Sequence, residues 1–570
     1  MRAKLAKSAP FILLGLVFLM LVFLNIFYQD QWMDSDMAAE MVFSRVLAEG
    51  GHIFATPDWY YATEFKFLFT HLIMGPLLRI MDNWHVIRTI TQLVYYALII
   101  VAYFYVMKPL KISKGLTALA ACVVLLPFSE TMMFYMQMSN FYIPHSLIIL
   151  VFYGMFLRLA GKVAYKKWQK AVLLVCYVLL GVCCGLSGIR YMLAMQGPLV
   201  VAGFFYWLSS DAFKEFRAGF GFGDESAGQD AEKLSKDTDA KSGKSRILQP
   251  GIVNEATCEN GKKLLKCEEA GYFYYSLLGV VCSLAGYVIN AVWVSRQYVF
   301  QTYESTNFIA VYQGEFLERL QNAFGSLLMF FGYIPQKSVL SLRGIISVIA
   351  FVLIGIFVFC TRRAYKSCKG IRFFAVMFVI VAFAVNVFAF VFTNSTMVPR
   401  YYITIMIFAL PVIAMYLEEE KVVFDKTLVF LILAACLFLS SAKTFYSYIT
   451  VDKNAPKREV AAFLAENDYD FGFATFDNAN VITELTNGEV EIAHIWNIDD
   501  MDFFKWSSPV KYYEDGYHTG ETFLLLTTAE TVEFADSKAV ERGEAVYEDE
   551  YYTVYVYENV EALLECGSGR

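Results

Sequence analysis

The densest group of acidic side chains in the sequence follows the first apolar run. Asp36 and Glu40 are four residues apart, so they share one face if the segment is helical, and Asp34 stands just before them. A carboxylate at the mouth of a helix bundle can act as general base toward a sugar or lipid hydroxyl. Asp34 and Asp36 could instead hold Mg²⁺ or Mn²⁺, which favour carboxylate oxygens. Taken alone, the segment is more typical of a solvated helix start, because Asp often caps helices.

A second acid and several cations complete the set of candidate groups. Glu64 and Lys66 follow the aromatic residues 59–61, and Lys66 would suit the phosphate of a lipid head group. Aromatic residues at a membrane interface are more often simple anchors. Arg190 and Arg400 each stand where an apolar run begins, and a charge entering a bilayer is costly unless it is paired or hydrated. The alternative for both is snorkelling to lipid phosphates.

The scaffold that must position these residues is predicted to be a membrane helix bundle. Of the 570 residues, 57% are hydrophobic and 18% are charged, whereas a soluble domain is typically about 45–50% apolar and about 25% charged. The excess lies in apolar runs of roughly 18–23 residues, the length of a membrane-crossing helix. We predict eleven spans, near residues 10–28, 86–107, 115–134, 142–159, 170–187, 190–208, 271–293, 341–361, 371–393, 398–417 and 426–447.

Loop charge predicts the orientation of the bundle, because basic residues in short loops mark the cytoplasmic side. A cytoplasmic N-terminus places every basic loop inside; these loops are Lys4/Lys7, 108–114, 162–170 and 362–372. The acids, both arginines, His85 and Arg88 then face the outer side. Two polar-interrupted apolar stretches, 65–82 and 316–334, are predicted to be interfacial or re-entrant helices there. The run 10–28 lacks a small-residue cleavage site and is interpreted as an uncleaved span.

Two regions stand outside the bundle. Residues 453–570 hold 8 Lys and Arg against 25 Asp and Glu, a net charge of −17, so the rest of the chain carries +10. This asymmetry argues against a nucleic-acid partner. Segments 471–475, 490–495, 522–527, 545–547 and 553–557 are predicted strands, and 458–467 a helix, of a small extracytoplasmic α/β domain. Residues 211–267 are predicted to be a cytoplasmic linker or regulatory loop.

Together these motifs resemble the C-type membrane glycosyltransferases (GT-C), such as protein O-mannosyltransferases and the lipid A aminoarabinose transferase. The resemblance rests on the first span, the early Asp34-Ser35-Asp36, the Glu64 to Lys66 patch, and Pro399-Arg400-Tyr401 leading into Leu410-Pro411. It implies a polytopic transmembrane domain over 1–450, with an outer acidic loop over 29–85. It also implies Asp36 as general base with Asp34 as the alternative, and Glu64 as a second acid.

The resemblance further implies a substrate site and partners. Phosphate binding would fall to Lys66 and Arg400. Apart from the resemblance, we expect Tyr401, Arg190, Glu40, His85 and Arg88 to contribute to the same substrate site. The donor would be a sugar on a polyprenyl phosphate, and the acceptor a glycan, lipid or protein of the cell envelope. We therefore expect an inverting glycosyltransferase in the cell membrane, using at most a divalent cation. Two alternatives stay open: a transporter or flippase of lipid-linked glycans, and a non-catalytic scaffold of envelope glycan assembly.

Overall fold

The computed structural model describes residues 2–138, 142–161, 164–219, 263–265, 267–301, 307–311 and 315–567, so most of the predicted 211–267 loop lies outside the described residues. Helices dominate as far as Thr450. Their bounds are Arg2–Phe27, Ser35–Glu49, His71–Leu78, Trp84–Met107, Lys114–Leu125, Glu130–Met138, Ile143–Ala160, Lys167–Leu186, Met192–Leu208, Asp211–Gly219, Glu268–Ile289, Glu315–Phe330, Leu342–Ser367, Ile371–Val391, Ile403–Glu419 and Val423–Thr450.

The predicted polytopic helix bundle is confirmed. Within the described ranges, nine helices are long and apolar enough to cross a membrane, or up to eleven if each of two bent helix pairs is one span. The predicted 115–134 span is one of these pairs: Lys114–Leu125 and Glu130–Met138 meet at 90°. Leu126 is extended because the residue before a proline, here Pro127, avoids helical geometry. Ser129 then starts the next helix by accepting a hydrogen bond from the Met132 N–H (3.2 Å).

The two stretches predicted to lie at the interface are shorter as helices than the sequence pattern indicates. Within 65–82 only His71–Leu78 is helical, and 316–334 is represented by Glu315–Phe330. At 8 and 16 residues, both helices are shorter than the roughly 20 residues that a membrane-crossing helix needs. The structure therefore gives both a length that fits an interfacial or re-entrant position, which remains a prediction.

The chain after Thr450 forms a sheet region, residues 455–567. The structure has eight strands in the described residues: β1 Trp59–Tyr60, β2 Phe471–Thr475, β3 Glu491–Asn497, β4 Asp502–Phe503, β5 Ser508–Pro509, β6 Thr522–Thr527, β7 Glu544–Glu548 and β8 Tyr552–Tyr557. The short strands β1 and β5 pair with each other and are not part of the main sheet. A six-stranded sheet has the order β4-β3-β2-β6-β8-β7. The central strand β2 is parallel to both neighbours, whereas β4, β7 and β8 pair antiparallel. All five predicted strands are present.

Helices pack on both faces of this sheet. Their bounds are Ala455–Glu466, Phe476–Leu485, Thr528–Glu533, Lys538–Arg542 and Val560–Leu564. One buried cluster contains Phe471 and Phe473, and the cluster on the other face contains Ala474 and Val460. Successive side chains of β2 thus enter opposite clusters, as expected for a strand covered by helices on both faces of the sheet. The Phe476–Leu485 helix follows β2 directly and, as described below, reaches the helix bundle.

His494 on β3 makes the stability of the sheet region depend on pH. Its ring is fully buried, Nδ1 lies 3.0 Å from the Trp506 carbonyl, and burial lowers the pKa from 6.5 to about 4. In the unfolded chain this histidine therefore binds a proton as the pH falls below 6.5, whereas in the folded chain it binds the proton only as the pH approaches 4. Stability should be complete above pH 6.5 and fall by about 2 kcal/mol from pH 7 to pH 5.

Thermal unfolding of the purified protein at pH 7 and pH 5 measures this loss. His494→Asn keeps a donor for the Trp506 carbonyl but cannot titrate, so its unfolding midpoint should change less between the two pH values. His518→Asn, at the other histidine of the sheet region, is the matched control and should behave like the wild type. Equal pH dependence in His494→Asn and wild type would contradict the assignment.

Candidate active site

Asp34 sits at the start of the Ser35–Glu49 helix, at the end of the bundle that contacts the sheet region (the domain-bearing end). It is the helix N-cap: its Oδ1 accepts a hydrogen bond from the Met37 N–H (2.9 Å). Burial, with the neighbouring charge of Asp36, raises the pKa of Asp34 to about 6, while the positive charges of Arg88 and Arg400 act in the opposite direction. Asp34 is thus a half-buried carboxylate within the field of two arginines.

Asp36 differs from Asp34 in its surroundings although only two residues separate them. It lies in the first turn of the same helix, and its side chain is exposed to solvent. The two residues either side of it, Ser35 and Met37, are buried. The helix therefore buries the face next to Asp36, and Asp36 itself points away from the packed interior.

Glu40 and Lys66 form an ion pair within the segment 29–85. Glu40 is buried, and its second oxygen accepts a hydrogen bond from the Thr70 hydroxyl (3.3 Å). The Lys66 ammonium also lies over the Phe69 ring, 4.9 Å from its centre. Glu40 is thus engaged by the protein itself, and it holds Lys66 in place.

Glu64 and Arg190 form a second pair, with an Nη2–Oε2 distance of 2.8 Å. Arg190 Nη1 donates to His145 Nε2 (2.9 Å), which leaves the proton on Nδ1 to donate to the Tyr191 hydroxyl (2.7 Å). His145 and Tyr191 are both buried. The structure thus brings Glu64 and Arg190 into direct contact, ordered by His145 from the Ile143–Ala160 helix and by Tyr191, the residue that follows Arg190.

Arg400 lies in the short Pro399–Tyr402 turn that opens the Ile403–Glu419 helix. Its Nη1 donates to the Tyr135 hydroxyl (2.9 Å), and its guanidinium lies 5.2 Å from the centre of the Tyr135 ring and 5.8 Å from that of Tyr401. Tyr401 in turn stacks on Phe390 at 4.8 Å. Two aromatic rings thus orient the cation. Tyr135 carried no sequence signal, since the chain has 37 tyrosines.

His85 and Arg88 are held by groups that the sequence did not reveal. The His85 ring contacts Asp30 (2.9 Å) and the Ile26 carbonyl (3.0 Å). Arg88 is fully buried and forms a two-pronged ion pair with Glu484 of the sheet region. In this structure Arg88 is covered by protein on all sides, so it does not face a substrate.

Strand pairing and hydrogen bonds also join the sheet region to the domain-bearing end of the bundle. Strand β1 pairs antiparallel with β5, the Trp84 N–H donates to Asn487 Oδ1 (2.9 Å), and Arg45 Nη1 donates to the Gly488 carbonyl (3.0 Å). At the opposite end of the bundle, Arg372 donates to the Leu110 and Lys111 carbonyls and pairs with Glu419. The candidate acids and their cations therefore gather at one end.

A metal site receives limited support from the donor set. Among the residues that the structure describes, no group of three or more His, Cys, Asp or Glu side chains is arranged to hold a metal ion. Asp34 and Asp36 would supply two carboxylates, and Mg²⁺ completes its shell with water and substrate phosphate oxygens. A divalent cation at Asp34 and Asp36 stays a prediction.

Comparison with known proteins gives the fold. No family model matches the sequence, and no curated protein matches it. The structure is similar to the crystal structure of the aminoarabinose transferase ArnT from Cupriavidus metallidurans bound to undecaprenyl phosphate, with a TM-score of 0.52 and 12% identity over 98% of this chain and 99% of that one. This chain has the GT-C fold.

Two further matches add nothing to that assignment, because their TM-scores are below 0.5. They are ArnT from the same organism in the apo state (TM-score 0.40, 12% identity, 99% of this chain and 100% of that one) and the oligosaccharyltransferase of Archaeoglobus fulgidus in complex with Zn and sulfate (0.43, 12%, 84% and 62%). The GT-C fold and the many apolar helices make this chain a multi-pass membrane protein.

Proposed function

We propose that this GT-C protein is a membrane glycosyltransferase that moves a sugar from a polyprenyl phosphate to an acceptor hydroxyl at the domain-bearing end. The observation that carries the proposal is Asp34, a half-buried carboxylate fixed as the N-cap of the Ser35–Glu49 helix at the domain-bearing end, where Arg88 and Arg400 act on its charge. A base near neutral pH beside a fixed cation suits a reaction that deprotonates a hydroxyl and expels a phosphate. The ArnT structure of the same fold holds undecaprenyl phosphate, which supports a donor of that lipid class.

In the proposed reaction Asp34 accepts the proton of the acceptor hydroxyl as its oxygen bonds to the anomeric carbon. The bond from that carbon to the phosphate oxygen breaks with its electron pair, and the polyprenyl phosphate leaves. Arg400 and Lys66 stabilise the charge on the departing phosphate, and a single displacement inverts the anomeric centre. This assigns to Asp34 the role that the family resemblance gave first to Asp36, because Asp36 is exposed.

An apolar cavity that reaches Tyr402, two residues after Arg400, is the space we propose for the polyprenyl chain. The cavity has a volume of about 320 Å³. Its lining comes mainly from the helices Glu315–Phe330, Leu342–Ser367, Ile371–Val391 and Ile403–Glu419, together with Tyr402. Its lining is almost entirely apolar; Arg362 and Thr361 are the polar members. A donor whose phosphate meets Arg400 could lay its first isoprene units along this cavity.

The orientation is proposed from loop charge. The domain-bearing end would face away from the cytoplasm, with the N-terminus and the Lys111–Arg372 end inside. The acceptor would then be a glycan, lipid or protein of the cell envelope. The net charge of −17 on residues 453–570 makes a strongly anionic acceptor unfavourable near the sheet region.

The test is a transfer assay on the purified full chain in lipid vesicles. A panel of polyprenyl-phosphate sugars is supplied, and release of free polyprenyl phosphate is measured with and without chelator. Release from at least one donor, strongly reduced in Asp34→Asn, is the expected result, and loss on chelation would add a metal. Movement of intact lipid-linked sugar between leaflets without release would instead establish the transporter alternative.

A further inference from the structure

A buried ion pair joins the helix bundle to the sheet region at the candidate site. Arg88 Nε lies 2.6 Å from Glu484 Oε1, and Arg88 Nη2 lies 2.5 Å from Glu484 Oε2. Arg88 is fully buried and Glu484 is 3% exposed. The two residues are 396 positions apart in the chain, and the reaction proposed above uses neither.

The pair continues into the helix that carries Asp34. Arg88 Nη2 also donates to the Met37 carbonyl (2.9 Å), and the Met37 N–H donates to Asp34 Oδ1 (2.9 Å). Glu484, Arg88, Met37 and Asp34 therefore form one chain of charge-assisted and backbone hydrogen bonds. A carboxylate from the sheet region thus reaches the N-cap of the Ser35–Glu49 helix through a single arginine.

Packing supports the same link. Val481, one turn before Glu484 on the Phe476–Leu485 helix, is fully buried in a cluster with Met33, Met37 and Ala38. These residues surround Asp34 in sequence on both sides. The sheet region therefore covers the first turn of the Ser35–Glu49 helix with apolar contacts and holds it with an ion pair at one point.

The energetics of such a pair favour a geometric role. Two charges removed from water recover little net stability compared with apolar side chains of similar volume. Other contacts already secure the junction, among them the Asn487 hydrogen bond to the Trp84 N–H and the Gly488 hydrogen bond to Arg45. What the ion pair adds is a fixed position for Arg88 and, through Met37, for the carboxylate at residue 34.

We propose that Glu484 is a positioning residue for sugar transfer, so that the sheet region completes the active site of the bundle instead of serving only as a separate binding module. The inference rests on the proposed function, in which Asp34 is the base. Glu484 holds Arg88, and Arg88 holds the helix start that presents Asp34 to the acceptor hydroxyl. Without Glu484 the guanidinium is a buried charge without its partner, and the first turn loses its fixed placement.

The experiment compares Glu484→Gln with Asn487→Ala in the purified full chain. Asn487→Ala removes a neighbouring hydrogen bond of the same junction that does not reach Asp34. We expect Glu484→Gln to lower kcat about tenfold or more at unchanged KM for the donor, and Asn487→Ala to leave both within about twofold. In an Asp34→Asn background, Glu484→Gln should cause no further loss, because both changes act on one group.

Amide hydrogen exchange over residues 34–40 gives a readout that needs no activity. Exchange there should accelerate in Glu484→Gln and not in Asn487→Ala. If Glu484→Gln fails to fold, the double variant Arg88→Met with Glu484→Leu replaces the pair by apolar packing, and it should fold with the same low kcat. Normal kcat in either variant overturns the positioning role while leaving the proposed function intact. Unchanged exchange over 34–40 also overturns it; a wild type without any transfer refutes the proposed function itself.

Discussion

Asp34→Asn is expected to lower kcat/KM for sugar transfer by about 10²–10⁴-fold, the usual contribution of a positioned general base. Asparagine has nearly the shape of aspartate and caps helices about equally well, so its Oδ1 can still accept from the Met37 N–H. The protein should therefore fold and express normally while the proton acceptor is lost. Release of polyprenyl phosphate under steady-state conditions measures the effect.

Asp36→Asn is the matched control, two residues away on the same helix. Because Asp36 is exposed, its substitution should change kcat/KM by no more than a few-fold, mainly through its charge near Asp34. A large loss in Asp36→Asn with normal transfer by Asp34→Asn would reverse the two roles. It would then restore Asp36 as the base, as the family resemblance first implied.

The same assignment gives a pH dependence with a definite sign. Burial raises the pKa of Asp34 to about 6, so the free enzyme loses its base as the pH falls through that value. The profile of kcat/KM should be flat above pH 7 and fall about tenfold per unit well below pH 6. The residual rate of Asp34→Asn should not show this decrease at acidic pH. Asp36→Asn should show it at a lower pH than the wild type, because the charge of Asp36 raises the pKa of Asp34.

Arg400→Gln is the second substitution with a large expected effect. Arg400 is held against Tyr135 by a hydrogen bond of 2.9 Å and lies over two aromatic rings, so its charge is already in place before the phosphate departs. Loss of one preorganised group that stabilises developing negative charge typically costs about 10²–10³ in kcat. We expect a loss of that size, together with a raised KM for the donor, measured by release of polyprenyl phosphate.

Two controls separate charge from orientation at this position. Tyr135→Phe removes the hydroxyl but keeps the ring under the guanidinium, and should lower kcat far less than Arg400→Gln. Arg296→Gln removes an exposed cation from the Ser295–Gln297 turn and should have no effect. Equal losses in Arg400→Gln and Arg296→Gln would mean that net surface charge, and not a phosphate contact, accounts for the result.

The sequence by itself determined the scaffold. Long apolar runs have one stable outcome, because a backbone in lipid must satisfy its hydrogen bonds within each helix. The composition of the sheet region also predicted its strands, and all five predicted segments are strands in the structure. The 115–134 segment passes as a span only as a helix pair bent by 90°, and its apolar composition did not indicate that bend, although Pro127 lies within it.

Only the tertiary structure decided which residues meet. The sequence placed Asp34 and Asp36 in one helix start, but which of them faces the arginines depends on the Phe476–Leu485 helix, which packs on that helix from a distant part of the chain. The partners Glu484 for Arg88, Tyr135 for Arg400 and His145 for Arg190 likewise come from remote segments. Side-chain spacing specifies a face within one element, whereas pairing between elements is set by long-range packing that a single sequence does not display.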